Sequence, residues 1–168
     1  MTSQERNLVI DLAVKRISEP EFLSQFSANP RRDIECVQRA LHQALLRQEN
    51  DDVECALLLG FHFGFGDGCK DVLRDVLMAD WHTQHENVVL ALQDLKDEEA
   101  VECLYQTALK RFAYRHYDES ESLAVKCIWA LKKLNTPPAI EKLRLLTKSE
   151  NAVIRQNAID CLAQKEEI

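Results

Sequence analysis

The stretch Leu90-Ala-Leu-Gln-Asp-Leu-Lys-Asp-Glu-Glu-Ala-Val-Glu-Cys-Leu104 decides the fold, because it returns without gaps as Trp129-Ala-Leu-Lys-Lys-Leu-Asn-Thr-Pro-Pro-Ala-Ile-Glu-Lys-Leu143. The offset is 39 residues, and six of fifteen positions are identical: Ala91/Ala130, Leu92/Leu131, Leu95/Leu134, Ala100/Ala139, Glu102/Glu141 and Leu104/Leu143. In both copies apolar residues recur at helical spacing, a short polar turn follows, and a second helical run begins. Asp97 and Thr136 stand where the second helix needs its N-cap, and Pro137 suits the first helical position. The first helix recurs again near Ala158 and Leu162, at an offset of 28. A helix pair that repeats leaves an apolar face that only a neighbouring copy can bury, so the repeat predicts an α-solenoid.

Outward from this core the same period continues. Val88, Val89, Leu92 and Leu95 form one stripe, and Val101, Leu104, Ala108 and Leu109 the next. Ala124, Cys127, Ile128, Leu131 and Leu134 follow, then Ile140, Leu143 and Leu146, then Ile154, Ala158, Cys161 and Leu162. Toward the N-terminus, Ile10, Ala13, Val14 and Ile17 mark a first helix, and Phe22, Leu23 and Phe26 a short second one that starts at Pro20. Ile34, Val37, Leu41, Ala44 and Leu45 share a face, and Val53, Ala56, Leu57 and Gly60 follow a cap at Asn50-Asp51-Asp52. Another helix opens at Asp67 or Gly68 and carries Val72, Leu73, Val76 and Leu77. No segment alternates with period two long enough to be a strand. The expected class is all-α, a short solenoid of stacked antiparallel helix pairs with about nine or ten helices. We expect one domain over 1–168, with 1–28 as capping helices, 30–80 as divergent repeats and 85–164 as clearer repeats interrupted at 111–121.

Composition agrees with this reading. The chain has 168 residues with only four glycines and four prolines, which argues against a turn-rich all-β fold and against a linker. All four glycines fall in Gly60-Phe-His-Phe-Gly-Phe-Gly-Asp-Gly68. That segment is neither GxGxxG nor a Walker loop, and it reads as a helix C-cap and a positive-φ turn, with Phe61, Phe63 and Phe65 in the core. Asp plus Glu number 28 against 21 Lys plus Arg, a formal charge of −7. That balance disfavours nucleic acid, which needs clustered cations, and suits a basic partner. Part of the charge is expected at 111–121 and on the face bearing Glu98, Glu99 and Glu102.

Six cysteines are spread with no CxxC and no two closer than 14 positions, inside apolar helical patterns, so free buried thiols are expected. The N-terminus lacks a basic and then apolar leader, and the longest apolar run is far shorter than the roughly 20 residues that cross a bilayer. A cytoplasmic protein without membrane contact is expected. No serine lies in a nucleophile elbow, and the sequence offers no cofactor or metal motif, so an enzyme is not expected.

Two clusters are candidates for partner contact. The first is the segment that breaks the repeat, Arg111-Phe-Ala-Tyr-Arg-His-Tyr-Asp-Glu-Ser-Glu121. An insertion maps to one edge of a solenoid, often the binding edge. Tyr114, His116, Tyr117, Asp118 and Glu119 combine rings with carboxylates, which suits an Arg- or Lys-bearing surface. The alternative is that Phe112 and Tyr117 pack the longer loop onto the stack. The second cluster is Trp81, His82, His85 and Glu86. Its order, HxxHE, matches neither zincin pattern, and it reads as a packing anchor around Trp81 or as a contact surface.

The helix-pair pattern over 85–164 resembles the HEAT-repeat family. The run Asp80-Trp81-His82, His85-Glu86, Leu92-Gln-Asp-Leu95, Tyr117-Asp-Glu119, Lys126-Cys127, Trp129-Ala-Leu131 and Ala139-Ile-Glu141 is similar to small stand-alone bacterial HEAT-repeat proteins. These are often immunity proteins of polymorphic toxin systems, including contact-dependent, Rhs and type VI systems. The resemblance implies a binding protein that occludes the active site of a cognate toxin domain. A general interaction scaffold and a HEAT-like enzyme or lyase accessory factor are the alternatives.

Overall fold

The computed structural model describes residues 1–115 and 121–164. The fold is all-helical, and among the described residues there are ten α-helices and no strand. They are α1 (Ser3–Ala13), α2 (Glu19–Gln25), α3 (Cys36–Arg47), α4 (Asn50–Phe63), α5 (Cys69–Met78), α6 (His85–Asp94), α7 (Val101–Leu109), α8 (Ser122–Leu134), α9 (Pro137–Leu146) and α10 (Ala152–Ala163). Among the described residues no helix is long and apolar enough to cross a membrane. The chain divides into two compact units, Met1–Ala91 and Leu92–Ile168.

In unit 1, α4 packs on both α1 and α3, α5 packs on α3, and α2 packs on α1. Val37 and Leu41 of α3, Val53, Ala56 and Leu57 of α4, and Val72, Leu73 and Val76 of α5 form its core, as their spacing predicts. Burying each large aliphatic side chain contributes about 1.5–3 kcal/mol. Phe22 of α2 is fully buried and stacks on Phe26 and Phe63 at 4.7 and 5.7 Å. The start of the chain differs from the expected pattern. α1 buries Leu8, Val9 and Leu12, while Ile10 and Val14 are exposed. The helix ends at Ala13, and Lys15 turns the chain with φ 59°, so Val14 and Ile17 are not on its face. Ile34 is likewise off its helix and exposed, because the Asp33 carboxylate accepts the Glu35 N–H at 3.2 Å and α3 starts only at Cys36.

The glycine segment is a C-cap as expected. Gly64 ends α4 with φ 102°, a conformation open mainly to glycine. Gly60 lies inside α4, where a Cβ would collide with the Phe65 ring. Phe61, expected in the core, is instead 44% exposed and meets Phe65 edge-on at 5.2 Å. Polar ties close this unit. The buried Asp52 carboxylate accepts from the Met1 amino group at 2.6 Å and from Arg6 Nη1 at 3.1 Å, joining α4 to α1. Arg31 grips Glu19 through two bonds of 2.6 and 2.8 Å, and with His62 it holds the Glu19 carboxyl down to about 2.

In unit 2, α8 packs on α7, α9 and α10, and α9 packs on α7 and α10. The expected stripes supply the core: Val101, Leu104 and Ala108, then Ala124, Cys127, Ile128 and Leu131, then Leu143 and Leu146, then Ile154, Ala158 and Cys161. The sequence repeat is also a backbone repeat. Lys96 and Asn135, 39 residues apart, both adopt the left-handed conformation with φ 48° and 52°. The next residue in each case is an N-cap. Asp97 accepts from the Glu99 N–H at 3.3 Å and Thr136 from the Ala139 N–H at 3.4 Å. The copies differ in one detail, since Asp97 opens a 3-10 turn (Glu98–Ala100) before α7, whereas α9 starts directly at Pro137. All six cysteines are buried and unbridged. Burial pushes the Cys55 thiol up to about 11, which keeps it protonated.

Candidate functional site

The Trp81–Glu86 cluster follows the end of α5, where the last carbonyls have no helical partner. His82 Nε2–H donates to the Val76 carbonyl at 2.7 Å, and His85 Nε2–H donates to the Ala79 carbonyl at 2.7 Å. His82 Nδ1 accepts the Gln84 N–H at 3.0 Å, which fixes a neutral ring with its proton on Nε2. The two rings stack at 4.1 Å and lie within 13° of parallel, and the half-buried Trp81 meets His82 edge-on at 5.2 Å. Thr83 binds Asn50 Oδ1 through its N–H at 2.9 Å and its hydroxyl at 3.1 Å, tying the turn to the start of α4.

Both rings are buried, at 1% and 0% exposure. Burial holds the His82 pKa below its ordinary value, with the bond to Val76 opposing it. The histidines thus act inside unit 1 as a helix-terminating device. Of Trp81, His82, His85 and Glu86, only Trp81 and Glu86 reach solvent, each partly.

At the repeat interruption the described residues are its basic flank and Glu121, and the expected carboxylates Asp118 and Glu119 are not among them. Phe112 is buried, with Lys110 Nζ over its ring at 4.8 Å. Tyr114, in a 3-10 turn (Ala113–Arg115), is 36% exposed and lies 5.9 Å from Phe112, with the Arg115 guanidinium 5.8 Å from its own ring. Arg115 also donates to the Ser122 hydroxyl, and Arg111 pairs with Glu121 at 3.6 Å. Three cations therefore gather on the described flank. His116, Tyr117, Asp118 and Glu119 lie outside the described residues.

The net charge concentrates elsewhere. Unit 1 has 15 Asp and Glu against 9 Lys and Arg, whereas unit 2 has 13 against 12, so unit 1 carries −6 of the total −7. The expected acidic face at Glu98, Glu99 and Glu102 is offset within unit 2 by such partners as Lys142, which pairs with Glu102 at 2.7 Å. Part of the acid of unit 1 lies on two outward helix stripes, although Asp67 pairs with Lys70 at 2.8 Å and Asp71 with Arg74. Asp67, just ahead of α5, leads into Asp71, Asp75 and Met78, all exposed. On α4 exposed Asp51 and Glu54 lead through half-buried Leu58 to exposed Phe61. Each stripe runs from carboxylates to an apolar side chain, a composition suited to a basic surface with an apolar centre. The sequence alone does not single these stripes out, because carboxylates at 3- and 4-residue spacing mark any solvated helix face. Compared with known proteins, the chain matches no family model, no curated protein and no solved structure.

Proposed function

We propose that the chain is a protein-binding module, and that it acts in the cytoplasm as an immunity protein of the HEAT-repeat kind. In this reading it binds a basic toxin domain and covers the toxin's active site. The observation that carries the binding part is the charge of unit 1, −6 within 91 residues, part of which lies on stripes that end in exposed apolar side chains. Such a surface accelerates encounter with a cationic partner and then offers apolar contacts to hold it. The toxin part rests on the family resemblance of residues 80–141. Exposed Tyr114 and half-buried Trp81 are further contact residues in this reading.

The test is genetic and then physical. A toxin domain encoded beside this gene is expressed with and without it. Rescue of growth together with a purified complex is the expected result. A complex without rescue leaves only the scaffold reading, and neither complex nor rescue contradicts both.

A further inference from the structure

Unit 1 exposes large apolar side chains around the end of α4. Ile34 is 78% exposed and Phe61 44%, and Phe65 is half-buried. Phe61 meets Phe65 edge-on at 5.2 Å, and a Cβ at Gly66, the next residue, would stand 3.4 Å from Ile34 Cγ1. Half-buried Leu58, about one turn back along α4 from Phe61, extends this apolar centre. The backbone holds it in place. The Phe65 ring lies on Gly60, where a Cβ would collide with it. The turn at Asp33 keeps Ile34 outward: the Asp33 carboxylate accepts the Glu35 N–H at 3.2 Å, and its carbonyl accepts the Cys36 N–H at 3.0 Å. Arg39 grips the same carboxylate. A preformed apolar surface loses little side-chain freedom when a partner covers it.

Carboxylates stand on both sides of this centre. On one side the outward stripe of α4 runs from Leu58 back to Glu54 and Asp51. Both are exposed, and neither has an ion pair among the described residues. On the other side is a cavity of about 290 Å³ lined by Ile34, Glu35, Gln38 and Asp67 among others. Glu35 and Asp67 are exposed, and their pairs with Arg39 at 3.6 Å and Lys70 at 2.8 Å are surface pairs, which contribute little and yield to a competing cation.

We infer that this patch is where unit 1 docks a segment of a basic protein, one in which a large apolar side chain is bracketed by Arg or Lys. The apolar side chain covers Ile34, Phe61 and Phe65. One basic side chain enters the cavity lined by Glu35 and Asp67, and another lies along α4 against Glu54 and Asp51. The inference rests on the protein-binding proposal and narrows it to one patch and one kind of partner segment. The α5 stripe fits such a segment less well, since Asp71 pairs with Arg74 and Met78 is its one exposed apolar side chain. That stripe still adds to the field that steers approach.

The experiment titrates the intact protein with a synthetic amphipathic peptide of Leu and Lys at helical spacing, whose apolar face is bordered by cations. Calorimetry and amide NMR are the readouts. The controls are the same peptide with Glu in place of Lys, and with Ser in place of Leu. The Leu/Lys peptide is expected to bind saturably and to shift the amide signals of Ile34, Glu54, Phe61 and Phe65 most. Both controls are expected to bind at least about tenfold more weakly. Ile34→Ser and Phe61→Ser are each expected to weaken binding of the Leu/Lys peptide by about five- to tenfold. Their melting temperatures are measured alongside, and if Phe61→Ser lowers its own, Ile34→Ser carries the test. Glu54→Gln is expected to weaken binding a few-fold, and Asp75→Asn on α5 to leave it within about twofold of the native value. Absence of saturable binding, equal binding of either control, undiminished affinity in Ile34→Ser, or shifts centred on α5 or unit 2 overturns the inference. None of these outcomes depends on a toxin. A peptide seated on the patch without a toxin complex supports the inference and contradicts the toxin reading alone. A toxin complex that forms with undiminished affinity when Ile34→Ser and Phe61→Ser are combined contradicts the inference alone.

Discussion

The two units solve the same problem, burying short helices that are marginal alone, by different means. Unit 2 repeats a turn. Lys96-Asp97 and Asn135-Thr136 place a left-handed residue before an N-cap at the same offset as the sequence repeat, and mostly apolar stripes fill the space between helices. Unit 1 has no such repeated turn and closes with polar ties of its own: Asp52 with Arg6 and Glu19 with Arg31 join separate segments, and His82 and His85 bind the end of α5 six residues back. Unit 1 also holds nearly all the net charge, with 15 acidic against 9 basic residues. The difference shows that regular packing and charge bias are separable here. The regular half is close to neutral, and the irregular half carries the field that a partner would sense.

The largest expected effect breaks a tie of unit 1. Asp52→Ala should cost about 3 kcal/mol in urea unfolding, because it removes a buried carboxylate and strands the cations gathered round it. A cost below about 1 kcal/mol would mean that apolar packing alone joins α1 to α4. His82→Ala comes next, at about 2 kcal/mol, since two carbonyl- and amide-bound ring nitrogens and their stacking are lost.

His82 also gives unit 1 a pH signature. Its folded pKa lies below the ordinary 6.5, so the unfolded chain takes up the proton first. The contribution is therefore full above that value and is lost as pH falls below it toward the folded pKa. Urea midpoints between pH 7 and pH 5 should fall, and less steeply in His82→Gln. An identical slope in the variant would remove His82 from this account.

A smaller effect tests whether the repeated turns of unit 2 are equivalent. Lys96→Gly should raise stability by about 0.5–1 kcal/mol, because a side chain in the left-handed region is strained. Asn135→Gly should gain less, since Asn tolerates that conformation. A loss at either site would show that the side chain contributes more than the strain costs. The smallest effect is expected at Tyr114→Ala, under about 0.5 kcal/mol in stability for a side chain 36% exposed, with weaker partner binding in the proposed function.

Much of this architecture could be read from the sequence, and the reasons for the exceptions are physical. The stripes of α7 to α10 and the caps Asp97 and Thr136 were legible because local spacing and local hydrogen bonds determine them. The face of α1 differs from the one its apolar spacing predicts, because the left-handed Lys15 ends it early without glycine or proline to mark the stop. Its start was nevertheless marked, since Thr2 and Glu5 form a capping box with bonds of 2.8 and 3.2 Å, as Ser18 and Glu21 do for α2. Ile34 and Phe61 are exposed against expectation, because hydrophobicity alone does not say which residues leave the core. His82 and His85 were legible as a cluster but not as helix-ending donors, because their acceptors, Val76 and Ala79, are backbone carbonyls without a sequence signature. The buried, unpartnered Thr107 hydroxyl is invisible for a similar reason. An unpartnered hydroxyl is a fact of three-dimensional surroundings.

The central claim is that the charge of unit 1 recruits a basic protein. The most direct measurement is the association rate with the basic toxin domain that the proposed function calls for, at low and at high ionic strength. It compares the native chain with a variant carrying Asp71→Lys and Asp75→Lys on exposed positions of α5. The account predicts that salt slows native association by about tenfold or more, and that the variant associates slowly at low salt with a much flatter dependence. Equal rates for the two proteins, or a native rate indifferent to salt, would contradict it.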